Sequence, residues 1–155
     1  MITALLLAAA ATPNAWVVTE RADPITDLQY VTLTSEQGPN LIAIKCIKGK
    51  TEIAVSVING VNMGGAPLLR SSIVRVDAKT PMNYTFGFID YVAEGWGVGH
   101  FLGRDVLSAN TKLAFRFPLS RSKGGETDVI FDATGVPVKA AVFKKKCAEI
   151  GVQIP

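Results

Sequence analysis

The chain has 155 residues, of which 48% are hydrophobic and 19% are charged. This length and composition fit one folded domain with a sizeable core, and they exclude an intrinsically disordered chain. The net charge of +3 is small, and the basic residues are spread out except at positions 144–146, where cations at the end of a predicted helix favour its dipole. Nucleic-acid binding would need a broader basic stripe with interleaved aromatic residues, so the sequence predicts no nucleic-acid partner.

The first eleven residues, MITALLLAAAA, are apolar and uncharged. The run is too short to cross a bilayer, which needs about 20 apolar residues, but it has the length of the apolar part of a signal peptide. Ala9, Ala10 and Ala11 resemble a cleavage site, although no basic residue precedes the run. The alternative is a buried N-terminal strand or helix. We expect a signal peptide at residues 1–11, one domain at residues 12–155 and no membrane span.

Eight segments predict β-strands because they alternate in polarity or are rich in β-branched and aromatic residues. They cover residues 15–20, 28–34, 41–48, 51–59, 72–77, 83–89, 112–118 and 127–132. Gly49 and Lys50 separate the third segment from the fourth, and a glycine-containing turn separates the last two, so both pairs predict hairpins. A glycine-rich stretch at residues 95–103 precedes a predicted short helical turn at residues 104–110.

The chain closes with a predicted amphipathic helix. We expect the side chains of residues 132–135 to cap its start, and Pro137 suits its first turn. Gly151 is placed to end it. Five residues recur on one helical face: Val136, Ala140, Phe143, Cys147 and Ile150. The sequence therefore predicts a mainly β fold, an antiparallel β-sandwich or partly open barrel of about eight strands with one C-terminal α-helix packed on it.

Cys46 and Cys147 are the two cysteines of the chain. Two cysteines in an exported domain predict one disulfide, and the apolar face of the helix would turn Cys147 towards the strand that carries Cys46. Their spacing excludes a CxxC motif, and a chain with one histidine is not expected to build a Cys/His metal site. The alternative is a pair of buried free thiols in a cytosolic protein. We expect a disulfide-bonded, periplasmic or secreted protein with no cofactor.

Short motifs follow one another along residues 22–147: DPITD at 23–27, the strand with Cys46, TEIAV at 51–55, RVD at 75–77, FDATGV at 131–136, and Cys147. This ordered series resembles the VasI/TagO-like family. Members are small exported proteins associated with bacterial type VI secretion clusters, with relatives in phage and prophage genomes. Tyr84 and Gly87 stand where the family has Trp and Ser, which weakens any inherited ligand-binding role for that strand. The resemblance implies a non-enzymatic accessory or binding module and supplies no catalytic residues.

Two glycine-rich segments are candidate binding regions, because loops on rigid scaffolds often carry binding surfaces. Residues 60–69 contain Asn62 and Met63, and residues 95–103 contain Trp96 and His100. We take these four residues as candidate binding residues. The alternative for residues 60–69 is a passive connection between strands.

No catalytic constellation stands out in the sequence. Ser120 and Lys123 match the S-x-x-K spacing of serine acyl-enzymes, but they lie in a turn between strands, without the helix that this chemistry needs. Asp77, Asp90 and Asp105 end strands or turns, where aspartate caps main-chain N–H groups. A carboxylate pair or a calcium site would need such residues to meet in the fold.

The function that the sequence predicts is binding of a protein or cell-envelope component by an exported, non-enzymatic module. One alternative is a small envelope hydrolase that uses carboxylates or His100, and it requires two or more of Asp77, Asp90, His100 and Asp105 to share one cleft. Another is an inhibitor or immunity protein whose loop at residues 60–69 blocks the active site of a secreted enzyme.

Overall fold

The computed structural model describes residues 14–63, 68–96, 101–120 and 122–155. Within these residues the chain forms nine β-strands and two α-helices. In chain order they are β1 (Trp16–Ala22), β2 (Gln29–Gln37), β3 (Asn40–Ile47), β4 (Ala54–Ile58), β5 (Leu68–Val76), β6 (Met82–Ile89), β7 (Val92–Trp96), α1 (Phe101–Leu107), β8 (Lys112–Pro118), β9 (Glu126–Asp132) and α2 (Val136–Glu149). The predicted signal peptide, at residues 1–11, lies outside the described residues.

All nine strands belong to one antiparallel sheet, in the order β1-β2-β3-β4-β7-β6-β5-β8-β9. The indole N–H of Trp16 and the side-chain amide of Gln37 both donate to the main-chain oxygen of Asp132, at 2.9 and 2.8 Å. The main-chain N–H of Asp132 donates in turn to the Gln37 side-chain oxygen at 2.7 Å. These bonds hold the end of β9 close to β1 and β2, so the open sheet curls into the predicted partly open barrel.

The concave face of the sheet holds the core, because alternate residues along each strand point to the same side. In β3, Ile42, Ile44 and Cys46 are all fully buried, as the predicted hairpin register requires. The aromatic part of the core consists of Phe86, Phe88, Phe115, Phe117, Phe131 and Phe143. Edge-to-face contacts such as Phe86–Phe117, at 5.3 Å between ring centroids, fill the barrel interior.

Helix α2 packs on this concave face with the predicted residues. Val136, Ala140, Phe143 and Cys147 are buried, and Gly151 ends the helix with φ of +84°. The prediction of a side-chain cap was wrong, since the N-cap is Gly135 and no side chain caps the helix. The carboxylate of Asp132 instead accepts hydrogen bonds from the main-chain N–H and the hydroxyl of Thr134, because it lies one turn too early to reach the helix.

Strand β7 and the first three residues of helix α1, 101–103, were not predicted from the sequence. Gly95 obscures the strand pattern of β7, and the structure shows why glycine stands there. A Cβ atom at Gly95 would lie 2.6 Å from Leu102 Cδ2 and 2.9 Å from Phe86 Cε1. Gly103 in α1 has the same role, since a Cβ atom there would lie 2.9 Å from Ile53 Cβ. The two glycines let α1 approach the sheet closely, at the expense of strand and helix propensity.

Candidate binding surface

The disulfide predicted between Cys46 and Cys147 is present. It joins the concave face of β3 to the last turn of α2, across 101 residues of sequence, and both cysteines are fully buried. Lys146 next to it forms ion pairs with Glu20 of β1, at 3.3 Å, and with Glu149, at 3.2 Å. The helix is therefore attached to the barrel by a covalent bond, by its apolar face and by surface ion pairs.

The convex face of the sheet carries a row of apolar side chains across four adjacent strands. The ladder places Leu41 of β3 opposite Ile58 of β4, Ile58 opposite Val92 of β7, and Val92 opposite Ile89 of β6. Ile58 and Ile89 are 39% and 55% exposed, and Leu41 and Val92 are half-buried. The convex face of an antiparallel sheet is usually polar, so a continuous apolar row there is a distinguishing feature of this molecule.

Two exposed loop residues lie just beyond this row, where β4 and β6 end. Val61 follows β4 and is 43% exposed, and Tyr91 lies in the turn between β6 and β7 and is 48% exposed. Main-chain hydrogen bonds hold the two loops together, from Asn59 N–H to Tyr91 O at 3.1 Å and from Met63 N–H to Asp90 O at 2.7 Å. We call the six residues Leu41, Ile58, Val61, Ile89, Tyr91 and Val92 the end patch.

Carboxylates border the end patch. Glu36 of β2 lies opposite Leu41 in the ladder, and Asp90 lies between Ile89 and Tyr91. Both are exposed, and neither forms an ion pair or a side-chain hydrogen bond with another described residue. An apolar centre with an acidic border is complementary to a partner that presents apolar side chains flanked by lysine or arginine.

The candidate residues of the loop at residues 60–69, Asn62 and Met63, differ in exposure. Asn62 is half-buried next to Val61, and its main-chain oxygen accepts a hydrogen bond from Lys123 Nζ at 2.9 Å. Met63 is fully buried, and its sulfur accepts a hydrogen bond from the Asn59 side chain at 3.3 Å. Met63 is therefore a core residue and not part of an exposed binding surface. The loop also contributes Val61 to the end patch.

The candidates of the second glycine-rich segment are Trp96 and His100. Trp96 is the last residue of β7, where it lies opposite Ala54 of β4 in the ladder. His100 lies outside the described residues. Neither residue is placed in the end patch, whose β7 member is Val92.

None of the three cavities lined by described residues brings together two of the carboxylates of the hydrolase hypothesis. Asp105 lines a small cavity of about 70 Å³ near α1, beside Tyr84. Asp77 is absent from the lining of this cavity, and Asp90 lies in the turn at the opposite end of β6. The Ser120 hydroxyl bonds to the Ser122 hydroxyl at 3.0 Å, and Lys123 Nζ donates to the main-chain oxygen of Asn62 at 2.9 Å, so the S-x-x-K spacing brings no general base to the serine.

Asp77 and Asp105 each have a structural explanation. The carboxylate of Asp77 accepts hydrogen bonds from the main-chain N–H groups of Asn110, Thr111 and Lys112, and these bonds hold its pKa well below the usual range. The hydroxyl of Tyr84 donates to Asp105, and burial, followed by this hydrogen bond, raises the pKa of Tyr84. The first interaction fixes the entry into β8, and the second fixes α1 against β6.

Comparison with known proteins adds no neighbour: no family model, curated protein or solved structure matches the chain. Among the described residues, no helix has both the length and the apolar character needed to span a membrane.

The end patch was not predicted from the sequence because its members belong to two hairpins, β3–β4 and β6–β7, that are separated in the chain by β5. Their alignment depends on the order β3-β4-β7-β6, which places β7 between β4 and β6. One signal was available in the sequence. Ile58 and Ile89 both continue a strand one residue past a buried apolar residue, which breaks the strict alternation of apolar and polar positions.

Proposed function

We propose that this chain is an exported, non-enzymatic binding or accessory protein of the bacterial cell envelope, of the kind associated with type VI secretion clusters or phage genomes. The disulfide supports export, because disulfides persist mainly in oxidising compartments. The signal-like start and the ordered motifs that resemble the VasI/TagO-like family support the same assignment.

The observation that carries the binding role is the end patch. Its apolar row lies on the convex face, away from the core, so it is not needed to fill the barrel interior. The partner that fits it is a protein with apolar side chains flanked by basic residues, since Glu36 and Asp90 border the patch. Burial of a few large apolar side chains at the centre of an interface commonly supplies most of its affinity.

Site-specific photo-crosslinking in the native host tests this proposal. One version of the full chain carries a photo-reactive residue at Ile89 in the end patch, and a control version carries it at Val138 on the exposed side of α2. We expect the disulfide-bonded chain in the periplasmic or secreted fraction, with one defined protein adduct from Ile89 and none from Val138. The proposal would be wrong if the chain stayed in the cytosol with free thiols, or if the two positions gave the same adducts.

Substitutions then test whether the captured partner binds at the end patch. The double variant Ile58→Ser/Ile89→Ser should reduce affinity for the captured partner by at least about tenfold, because two hot-spot truncations cost more than about 1 kcal/mol each. The matched control Val138→Ser/Val142→Ser removes two exposed apolar residues from α2 and should leave the affinity unchanged. Equal affinity of both double variants would remove the end patch from the binding site.

A further inference from the structure

A shallow depression on the convex face, remote from the end patch, is built from β5, β8 and β9. Ala114 of β8 is its floor, since the ladder places this small residue between Arg75 of β5 and Ile130 of β9. Ile73 and Pro81 supply further apolar wall, and the depression has a volume of about 230 Å³. This space is sufficient for one apolar side chain and the adjoining main chain of a ligand.

The ends of the depression are basic. Lys112 and Arg116 stand two residues before and after Ala114 on the same face of β8. Together with Arg75 they give the lining three cations, against one carboxylate, that of Asp128. We call this feature the basic groove, lined by Ile73, Arg75, Pro81, Lys112, Ala114, Arg116, Asp128 and Ile130.

One of the three cations is already neutralised. The guanidinium of Arg116 donates to both carboxylate oxygens of Asp128, from Nε at 2.7 Å and from an Nη atom at 2.8 Å, and it lies 3.6 Å from Glu126. This fork-shaped pair holds the arginine along the wall of the groove. Arg116 therefore shapes the groove and is not available as the main anion ligand.

The other two cations are available for a ligand. Within the described part of the chain, neither Arg75 nor Lys112 has an ion pair or a side-chain hydrogen bond. Lys112 lies opposite Asp132 in the ladder, but the Asp132 carboxylate is bonded to Thr134. Two unpaired cations thus flank an apolar floor, which is complementary to an acidic ligand with an apolar centre.

We infer that the basic groove binds an extended acidic peptide segment of a partner protein, with one apolar side chain on Ala114 and flanking carboxylates on Arg75 and Lys112. An extended peptide fits better than a polyphosphate or an anionic lipid surface, because the apolar floor would give a phosphate chain nothing to contact. A flat anionic membrane would meet the cations but would not fill the depression. This inference is independent of the end patch and of its proposed partner.

Selection from a displayed library of random nine-residue peptides on the intact, oxidised chain tests the inference. We expect enrichment of peptides that carry one large apolar residue with Asp or Glu on both sides. A labelled peptide of the enriched sequence should bind saturably in a fluorescence anisotropy titration. Its affinity should fall as salt is added, since exposed charge pairs are screened.

Four variants locate the binding site. Arg75→Glu/Lys112→Glu should weaken the selected peptide by about tenfold or more, because two attractive pairs become repulsive. Lys139→Glu/Lys145→Glu makes the same change of charge on α2 and should have no effect beyond a few tens of per cent. Ala114→Leu should weaken binding by filling the floor without a change of charge, whereas Ala43→Leu, on the convex face of β3, should not.

Each contrary outcome overturns the inference. A neutral or basic consensus, or no enrichment at all, would mean that Arg75 and Lys112 serve only solubility. Equal or tighter binding of polyphosphate, or of vesicles rich in phosphatidylglycerol, would assign the groove to those ligands instead. Concentration-dependent self-association in sedimentation, lost in Arg75→Glu/Lys112→Glu, would identify a second copy of the chain as the occupant. Urea unfolding of every variant shows whether lost binding is simply lost folding.

Discussion

Removal of the disulfide by Cys46→Ala/Cys147→Ala should lower stability strongly without changing the fold. The bond closes a loop of 101 residues, and the chain-entropy model gives about 4.7 kcal/mol for a loop of that size. Relaxation of strain in the native state reduces this contribution, so we expect a loss of about 3–5 kcal/mol. For a domain whose total stability is about 5–15 kcal/mol, this is a large share.

The fold should survive because the disulfide is one of several attachments of α2. Val136, Ala140 and Phe143 remain buried against the barrel, and Phe143 alone is a large, fully buried side chain. Each large apolar residue contributes about 1.5–3 kcal/mol when buried. The ion pairs of Lys146 are exposed and contribute much less.

Urea unfolding followed by tryptophan fluorescence measures the effect. Trp16 is buried and bonded to the main chain of β9, so its emission should change when the barrel opens. Reductant should shift the unfolding midpoint of the native chain and leave the midpoint of the double variant unchanged. Equal midpoints for the oxidised native chain and the double variant would refute the argument. Two free thiols in mass spectrometry under non-reducing conditions would refute the pairing itself, together with the argument for export.

Two further predictions concern single residues. Asp77→Ala should cost about 1–2 kcal/mol, because three solvent-exposed main-chain N–H groups lose a charged acceptor and bond to water instead. The pKa of Asp77 in the folded chain lies below its ordinary value of 3.8. The stabilisation by the ionised carboxylate is therefore present above about pH 4 and is lost as the pH falls towards the folded pKa. The urea midpoints of the variant and the native chain should accordingly approach each other in acid. Gly103→Ala should cost about 1–2 kcal/mol although alanine has the better helix propensity, because the new methyl group would lie 2.9 Å from Ile53 Cβ. An unchanged thermal midpoint would show that α1 can shift outward.

The sequence predicted those parts of the fold that repeat a short local pattern. The apolar face of α2 has a period of 3.6 residues over fourteen residues, and four of its five predicted members are fully or almost fully buried. The β3–β4 and β8–β9 hairpins followed from alternation around glycine-containing turns. The pairing of Cys46 with Cys147 followed from the helix face, since only one side of the helix could reach the sheet.

Long-range strand order was not predictable from such patterns. Strand β7 is five residues long, and it pairs with β6 across a tight turn and with β4, which lies more than thirty residues earlier in the chain. Its place between β4 and β6 therefore depends on a long-range contact. The prediction of a side-chain helix cap was wrong for a local reason, since Asp132 ends β9 and bonds to Thr134 in the turn before the helix starts. The burial of Met63 was not predictable for a global reason, because an apolar residue in a loop is exposed or buried according to what the barrel places beside it.

The division of the sheet into two faces separates stability from recognition in this molecule. The concave face holds the phenylalanine core, the disulfide and α2, so substitutions there should act on folding. The apolar row of the end patch could also stabilise the sheet through cross-strand pairs such as Ile58–Val92, each contributing about 0.2–1 kcal/mol. If this were its whole role, Ile58→Ser/Ile89→Ser would lower the urea midpoint and leave the affinity of the folded protein for the captured partner unchanged. Lost affinity in a variant that still folds would instead mean that these residues are exposed in order to bind.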